Sequence, residues 1–211
     1  MKKLLVLALI LCLFGCSNTN NIEKELDEVF SNRNYVMTKA NNYTDYINFY
    51  LPSDINEIDC EKLSYIFDVD GCKLIMNINL PYIFNEYYYN DNTLQDEGPF
   101  DESKLVFSCE GDTLDSQFNK VFYSFKAYQF DDVCILQLIS NEVSMYGYCH
   151  KGKIKLLAEK MLQMVKNSWV DSAKVINDYA EKDVIDYQRK AVNLFERIIP
   201  RDGSVEDALL S

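Results

Sequence analysis

The dipeptide Asp70-Gly71 is the feature of the sequence that most constrains the fold. It stands between two runs in which apolar and polar residues alternate, 63–69 and 72–80, and Asp-Gly supplies the two positive φ angles of a type I′ turn. A two-residue turn fixes the register of a hairpin, so Phe67 is expected to face Leu74. Turn chemistry and hydrophobic pattern therefore predict the same antiparallel pair of strands.

Further alternating runs predict strands on both sides of this hairpin. One strand is expected before it, at 46–51, and another after it, at 104–110, where Gly111-Asp112 is expected to turn the chain. Three consecutive runs then predict a meander with two-residue turns: 118–130, 133–140 and 142–149. The chain should therefore contain a mostly antiparallel sheet of about five to seven strands.

The hydrophobic period changes from two residues to three or four at Lys153, which predicts a helix. Its apolar face consists of Ile154, Leu157, Ala158, Met161, Val165 and Trp169. More helices are predicted at about 171–179 and 183–199, and an amphipathic helix at 22–31 precedes the strands. The predicted fold class is α+β, with an N-terminal helix and two or three C-terminal helices around the sheet. A single domain should span 22–200, and residues 201–211 are expected to form a loose tail.

The first sixteen residues have the pattern of an export signal. Lys2 and Lys3 are followed by an uninterrupted apolar run at 4–14. This run is well short of the roughly 18 residues that a membrane-spanning helix needs, so it is expected to be a removable leader.

The end of that leader, Leu13-Phe14-Gly15-Cys16, resembles the lipobox of bacterial lipoproteins. The resemblance implies cleavage after residue 15 and a diacylglycerol group on the sulfur of Cys16. Residues 16–21 would then be a short lipidated tether, and the membrane would be a partner of the mature chain through this lipid. The expected location is the cell membrane, on its extracytoplasmic side.

The chain is acidic, with a formal net charge of −12, and loss of Lys2 and Lys3 with the leader makes it more negative. Nucleic acids and anionic headgroups repel such a chain, so no nucleic-acid partner is expected. The abundance of Asn, Ile, Lys and Tyr is typical of A+T-rich coding sequences. It favours a low-GC Gram-positive source.

Five cysteines remain once Cys12 leaves with the leader and Cys16 carries lipid: Cys60, Cys72, Cys109, Cys134 and Cys149. An odd number leaves at least one thiol unpaired within the chain. The meander register places Cys134 opposite Cys149, which makes them a possible cysteine pair, although directly opposed strand cysteines are often strained as disulfides. No CxxC motif occurs and His150 is the only histidine, so neither a metal site nor a cofactor is predicted.

A long connection is expected at 81–99, with a helical turn near 82–86. It contains Tyr87-Tyr88-Tyr89, and three consecutive tyrosines cannot all point inward. The candidate contact residues for a ligand or partner are therefore Tyr87, Tyr88, Tyr89 and Asp91. In the alternative interpretation two of the tyrosines cover the sheet edge and the third is solvated. The acidic residues nearby lack the spacing of an EF-hand, so no calcium site is predicted.

No catalytic motif is present in the sequence. It lacks a glycine-rich phosphate loop, GxSxG, HExxH and SxxK. His150 follows Cys149 directly, and adjacent strand residues point to opposite faces, so they should not form a thiol–imidazole pair. We expect a non-catalytic binding or scaffolding protein with a cell-envelope protein as partner. The alternative is an envelope-modifying enzyme, or a solute-binding or glycan-binding lipoprotein, that uses residues 82–98.

The order of strand, Tyr50-Leu51-Pro52-Ser53-Asp54 turn, hairpin, meander and helix is similar to that of PsbP-like domains. This resemblance covers about residues 43–168. PsbP-like domains are mostly accessory proteins, so the resemblance implies binding rather than turnover. No site residue of that family carries over to this sequence.

Overall fold

The computed structural model describes residues 19–31, 39–94, 100–115 and 117–180. Within these residues the four α-helices are α1 Thr19–Ser31, α2 Leu80–Tyr89, α3 Ile154–Lys166 and α4 Ser172–Tyr179, and short 3-10 helices lie at Glu102–Lys104 and Lys151–Lys153. The ten strands are β1 Asn42–Tyr43, β2 Ile47–Phe49, β3 Ile55–Glu61, β4 Ser64–Val69, β5 Cys72–Ile78, β6 Leu105–Leu114, β7 Lys120–Phe130, β8 Val133–Ser140, β9 Val143–His150 and β10 Trp169–Val170.

Seven strands form one antiparallel sheet in the order β3-β4-β5-β9-β8-β7-β6, and β1, β2 and β10 form a small second sheet. Helices α1 and α3 pack on the inner face of the large sheet, where the main apolar core lies. A smaller apolar cluster of Tyr128, Val133, Ile135 and Tyr148 lies on the outer face. The predicted α+β class, strand number and flanking helices are confirmed. The helix predicted at 183–199 and the tail at 201–211 lie outside the described residues.

The predicted hairpin and meander registers are also confirmed. Asp70 and Gly71 have φ angles of 53° and 78°, and Phe67 pairs with Leu74 across β4 and β5. In the meander, Leu138 of β8 lies opposite Phe125 of β7 on one side and opposite Met145 of β9 on the other. Local turn chemistry therefore determines register in both places.

The turn predicted at Gly111-Asp112 is wrong. Strand β6 continues to Leu114, and Gly111 pairs with Tyr123 of β7 inside the ladder. A Cβ atom at Gly111 would lie 2.5 Å from the Tyr123 hydroxyl oxygen. This glycine therefore makes room for a tyrosine ring and does not turn the chain.

The edge strand β3 has no counterpart among the predicted strands. Only Ile55 of this strand is buried, and the remaining side chains to Glu61 are exposed, so no alternating pattern marks it. The strand predicted at 46–51 is shorter, Ile47–Phe49, and belongs to the small sheet. Helix α1 begins three residues before the predicted start at Ile22.

Buried polar side chains gather at one end of the large sheet. The β8–β9 turn, the β6–β7 connection, the start of α2 and the end of α3 all lie at this end. Five of the seven buried polar or charged residues in the described chain are here: Asn79, Asp115, Ser140, Asn167 and Ser168. We call this the polar end of the sheet. The β4–β5 and β7–β8 turns and the start of α3 lie at the opposite end.

Candidate functional site

The three consecutive tyrosines lie in the last turns of helix α2, so the long connection predicted for 81–99 is wrong over its first half. The Asn79 side chain accepts a hydrogen bond from a backbone N–H of the first turn at 3.3 Å, and Pro81 lies in that turn. The helix ends at Asn90, which has a left-handed φ of 51° and donates its N–H to the Glu86 carbonyl at 3.0 Å. These two asparagines and the proline were the sequence signals for the full helix.

All three tyrosines are exposed, to 56% at Tyr87, 51% at Tyr88 and 77% at Tyr89. The expectation that at least one would be exposed is therefore confirmed, and the alternative in which two of them cover the sheet edge does not hold. We call these three side chains the tyrosine surface. These three adjacent exposed aromatic side chains are a candidate contact site.

The tyrosine surface is held in place by its own contacts. The Tyr88 hydroxyl donates a hydrogen bond to the Ala180 carbonyl, just beyond α4, at 2.8 Å. The Tyr88 ring centroid lies 4.9 Å from that of Tyr87 and 6.3 Å from that of Tyr89. Below them, Phe84 is buried and lies 6.1 Å from Tyr88. Fixed rings lose little additional conformational entropy when a partner binds.

Asp91, the fourth candidate contact residue, is exposed and belongs to a turn. Its carboxylate accepts the N–H of Thr93 at 3.0 Å, and hydrogen bonds from the Thr93 side chain and backbone lower the pKa of Asp91. Asp96 and Glu97, which complete the acidic stretch, lie outside the described residues. Within the described ranges, no group of three His, Cys, Asp or Glu side chains could hold a metal ion.

Two lysines that follow β9, Lys153 and Lys155, form ion pairs within the chain. The Lys153 ammonium lies 2.9 Å from an Asp70 carboxylate oxygen, and Lys155 lies 2.7 Å from Glu28. Asp70 also borders an open groove of about 500 Å³ between the β4–β5 turn and α3. The groove is bordered by Asp54 as well, which pairs with Lys160 at 2.6 Å. The carboxylates of Asp54 and Asp70 thus connect α3 and the turn before it to the edge of the sheet.

The possible cysteine pair lies opposite in the sheet as the register predicts. Cys134 faces Cys149 across β8 and β9, and the adjoining pairs of β5 and β9 place Cys72 on the other side of Cys149. We call these three buried thiols the thiol row. The five described cysteines are not joined in disulfides. His150 is exposed whereas Cys149 is buried, so the two side chains do not form a catalytic pair.

Burial makes most of the described thiols, both in the thiol row and at Cys109, poor nucleophiles. It raises the pKa of Cys134 to about 11 and that of Cys109 to about 12. A hydrogen bond with Cys72, followed by burial, raises the pKa of Cys149, and the same hydrogen bond lowers that of Cys72. Thiols that stay protonated at neutral pH behave as small apolar groups in the core.

A carboxyl pair at the polar end was not found by sequence reasoning. The side chain of Glu142, in the β8–β9 turn, is hydrogen-bonded to that of Asp115, just after β6. Asp115 is fully buried and Glu142 is partly buried. Burial, followed by the charge of Asp115, raises the pKa of Glu142 to about 9, so Glu142 keeps its proton at neutral pH and can donate it to Asp115. Ser168 Oγ lies 3.4 Å from Glu142 Oε2.

The tyrosine surface on α2 and the carboxyl pair at the polar end thus belong to an α+β domain whose described helices are all too short or too polar to cross a membrane. Comparisons of the chain with models of protein families, with curated proteins and with solved structures found no match. The lipoprotein and PsbP-like resemblances therefore stay predictions from the sequence.

Proposed function

We propose that this protein is a membrane-anchored extracytoplasmic lipoprotein that binds a protein partner of the cell envelope and does not catalyse a reaction. The lipobox-like motif at Leu13-Phe14-Gly15-Cys16 would supply the anchor. The tyrosine surface would supply the contact. The observation that carries the proposal is the exposure of three adjacent tyrosines on a helix whose other face is buried.

Tyrosine suits a protein contact for two physical reasons. Its ring gives a large apolar area and its hydroxyl can hydrogen-bond, which is why tyrosine is enriched at interfaces and among the residues that contribute most to binding. Tyr88 is already held by Ala180, so its neighbours Tyr87 and Tyr89 project from a fixed base. A partner would gain apolar contact without first ordering the surface.

The reactive groups of the described chain support binding rather than catalysis. The thiol row is buried, and Glu142 is committed to Asp115 by a hydrogen bond. Asp91, the carboxylate closest in sequence to the tyrosines, is engaged by Thr93 in a turn. A general acid or base must reach its substrate, and none of these groups combines a shifted pKa with an open approach beside the tyrosine surface.

A second candidate function is glycan or solute binding by the same surface, with or without modification of the envelope. The exposed rings of Tyr87 and Tyr89 favour it, because flat aromatic faces with nearby hydroxyl groups also pack against sugars. This candidate predicts that the purified chain binds isolated cell-wall glycan when other proteins are absent. The first candidate predicts that it does not.

The test is capture of partners from detergent-solubilised membranes, read by quantitative mass spectrometry. The full-length chain is compared with a Tyr87→Ala, Tyr89→Ala variant that keeps the Tyr88 hydrogen bond. A matched control, Tyr43→Ala with Ile58→Ala, removes two other exposed apolar side chains of the described surface. We expect the wild type and the control to capture the same specific protein, and the tyrosine variant to lose it.

Two results would count against the proposal. If the wild type and the tyrosine variant capture the same proteins, the tyrosine surface is not the contact. If the acylated wild type captures no protein but binds cell-wall glycan, the second candidate replaces the first. A Cys16→Ala chain, run in parallel, shows whether capture also needs the anchor.

A further inference from the structure

The end of β6, the start of β7 and the loop between them present three apolar side chains to solvent at the polar end of the sheet. Leu114 is 42% exposed, Phe118 is 73% exposed and Phe122 is 49% exposed. Leu114 pairs with Lys120, and Phe122 lies two residues further along β7 on the same face. We call Leu114, Phe118 and Phe122 the aromatic tip. Neither the proposed partner contact nor the core accounts for it.

The backbone of the aromatic tip is held in a strained conformation. Phe118 has a φ of 66°, in the left-handed region that residues with a Cβ rarely adopt. Asp115 holds the chain there: Oδ1 accepts the N–H groups of Gln117 at 2.7 Å and of Asn119 at 2.8 Å, and Oδ2 accepts the Asn119 side-chain amide at 2.8 Å. A buried carboxylate thus supports a loop whose central phenylalanine points away from the core.

The aromatic tip is also fixed to the neighbouring β8–β9 turn. The Phe122 N–H donates to Asn141 Oδ1 at 3.0 Å, and the Asn141 N–H donates to the Phe122 carbonyl at 3.3 Å. The next residue, Glu142, is hydrogen-bonded to Asp115. The β6–β7 and β8–β9 connections of the sheet are therefore hydrogen-bonded to each other next to these apolar side chains.

Helix α1 leads back towards the same end of the sheet. Its last turn packs at mid-sheet, where the ring centroids of Phe30 and Phe125 are 4.4 Å apart, and Glu28 pairs with Lys155 in the first turn of α3 at 2.7 Å. Ile22 and Leu26 are buried, α1 contacts both α3 and β6, and α3 begins at the opposite end. We infer that the turns of α1 before Glu28 run along α3 and β6 in the direction of the polar end.

The length of α1 before Phe30 is close to the length of β7 between Phe125 and the aromatic tip. From Phe30 back to Thr19 the helix is about 16 Å long, and from Phe125 to Lys120 the strand rises about 17 Å. On this course along β6, the start of α1 and the aromatic tip reach a similar level. Cys16 is three residues before Thr19, so at most about 11 Å of extended chain separates them.

We propose that the aromatic tip inserts into the outer leaflet of the membrane that carries the lipid on Cys16. The inference rests on the anchor of the proposed function. A lipid alone would leave the domain free to rotate on its tether, whereas a second contact point fixes its orientation. The partner surface would then face a constant direction.

Apolar contact rather than charge would drive this insertion. The ammonium of Lys120, the residue paired with Leu114, lies 2.9 Å from an Asp112 carboxylate oxygen and 4.7 Å from the centroid of the Phe122 ring. The chain as a whole has a formal net charge of −12, which opposes binding to anionic headgroups. Insertion should therefore be insensitive to added salt, or stronger in its presence.

The test places a fluorescent reporter in the aromatic tip. The lipidated mature chain carries Trp169→Phe, which removes its only tryptophan, together with Phe118→Trp. It is reconstituted in vesicles of phosphatidylglycerol and phosphatidylcholine with brominated acyl chains. A matched control carries His150→Trp, an exposed position at the opposite end of the sheet. We expect brominated lipid to quench the Phe118→Trp chain at least about twofold more strongly than the control, because bromine quenches only residues within the acyl region.

Other outcomes would overturn the proposal. If aqueous iodide quenches both reporters equally and brominated lipid quenches neither, the tip does not enter the membrane. If Phe118→Trp is shielded only in native membranes and not in pure lipid vesicles, a protein covers it. A Phe122→Trp chain repeats the measurement without altering the strained residue. The mass of the acylated chain is checked in each sample, so that failure of the anchor is distinguished from failure of the tip.

Discussion

Replacing Glu142 with glutamine tests whether a bound proton holds the carboxyl pair together. The pKa of Glu142 is raised from 4.5 to about 9, first by burial and then by the charge of Asp115. Between these values the folded chain holds a proton at Glu142 that the unfolded chain has released. The contribution of Glu142 to the free energy of unfolding should therefore be fully present below about pH 4.5 and should be lost as the pH rises towards about 9.

The size of the effect follows from the raised pKa. Each pH unit within this window changes the free energy of unfolding by about 1.4 kcal/mol. A rise from about pH 6 to about pH 8 would then cost at most about 3 kcal/mol, and the partial exposure of Glu142 reduces this value. The glutamine amide can still donate to Asp115 but has no proton to release. Glu142→Gln should therefore remove this slope and be more stable than the wild type at about pH 8 by on the order of 1–3 kcal/mol.

The assay is urea unfolding followed by circular dichroism at three pH values between about 6 and 8. The mature chain with Cys16→Ser is used so that no lipid is attached. Glu110→Gln is the control, because it removes a carboxylate that is exposed on β6. One contrary result is that the free energy of unfolding of Glu142→Gln changes with pH as much as that of the wild type, and another is that the variant is the less stable chain at about pH 8. Either result would show that a proton bound at Glu142 does not hold the carboxyl pair together.

Gly111→Ala should lower the free energy of unfolding by about 1–3 kcal/mol, because the new Cβ would lie 2.5 Å from the Tyr123 hydroxyl oxygen. Gly152→Ala, which has open space around it, is the control, and equal urea midpoints would refute the close approach. Phe118→Gly should raise stability in thermal unfolding by about 1 kcal/mol, since glycine adopts a positive φ without strain; a less stable variant would argue against strain. Cys60, which is exposed, should react with a water-soluble disulfide reagent in the native chain, whereas the thiol row should react only on unfolding; similar rates would contradict the burial of that row.

Sequence reasoning succeeded where a signal acts on neighbouring residues. Asp70-Gly71 was enough to predict the register of β4 with β5, because the turn itself fixes which residues face each other. The exposure of at least one of the three tyrosines was also predictable, since three adjacent side chains are not expected all to point inward, whereas the exposure of all three was not predicted. The location of the tyrosines on α2 was not predicted, although Asn79 and Asn90 cap the two ends of that helix.

The errors concern residues whose role depends on distant partners. Gly111 has the appearance of a turn residue until Tyr123, on the next strand, fills the space of its missing side chain. Asp115 and Glu142 are two of 33 acidic residues, and nothing local distinguishes them. Only the pairing of β6, β7, β8 and β9 brings these two carboxyl groups together at the polar end. Long-range geometry of this kind is not contained in composition, spacing or periodicity.

Both proposals start from a lipid on Cys16, and the mass of the N-terminal peptide tests this most directly. The chain is purified from membranes of the cells that produce it, digested, and its first peptide is identified by mass spectrometry. We predict a peptide that begins at Cys16 and carries diacylglycerol on the cysteine sulfur. A peptide that still contains Met1, or one with an unmodified Cys16, would contradict the membrane-anchored function and the insertion of the aromatic tip together.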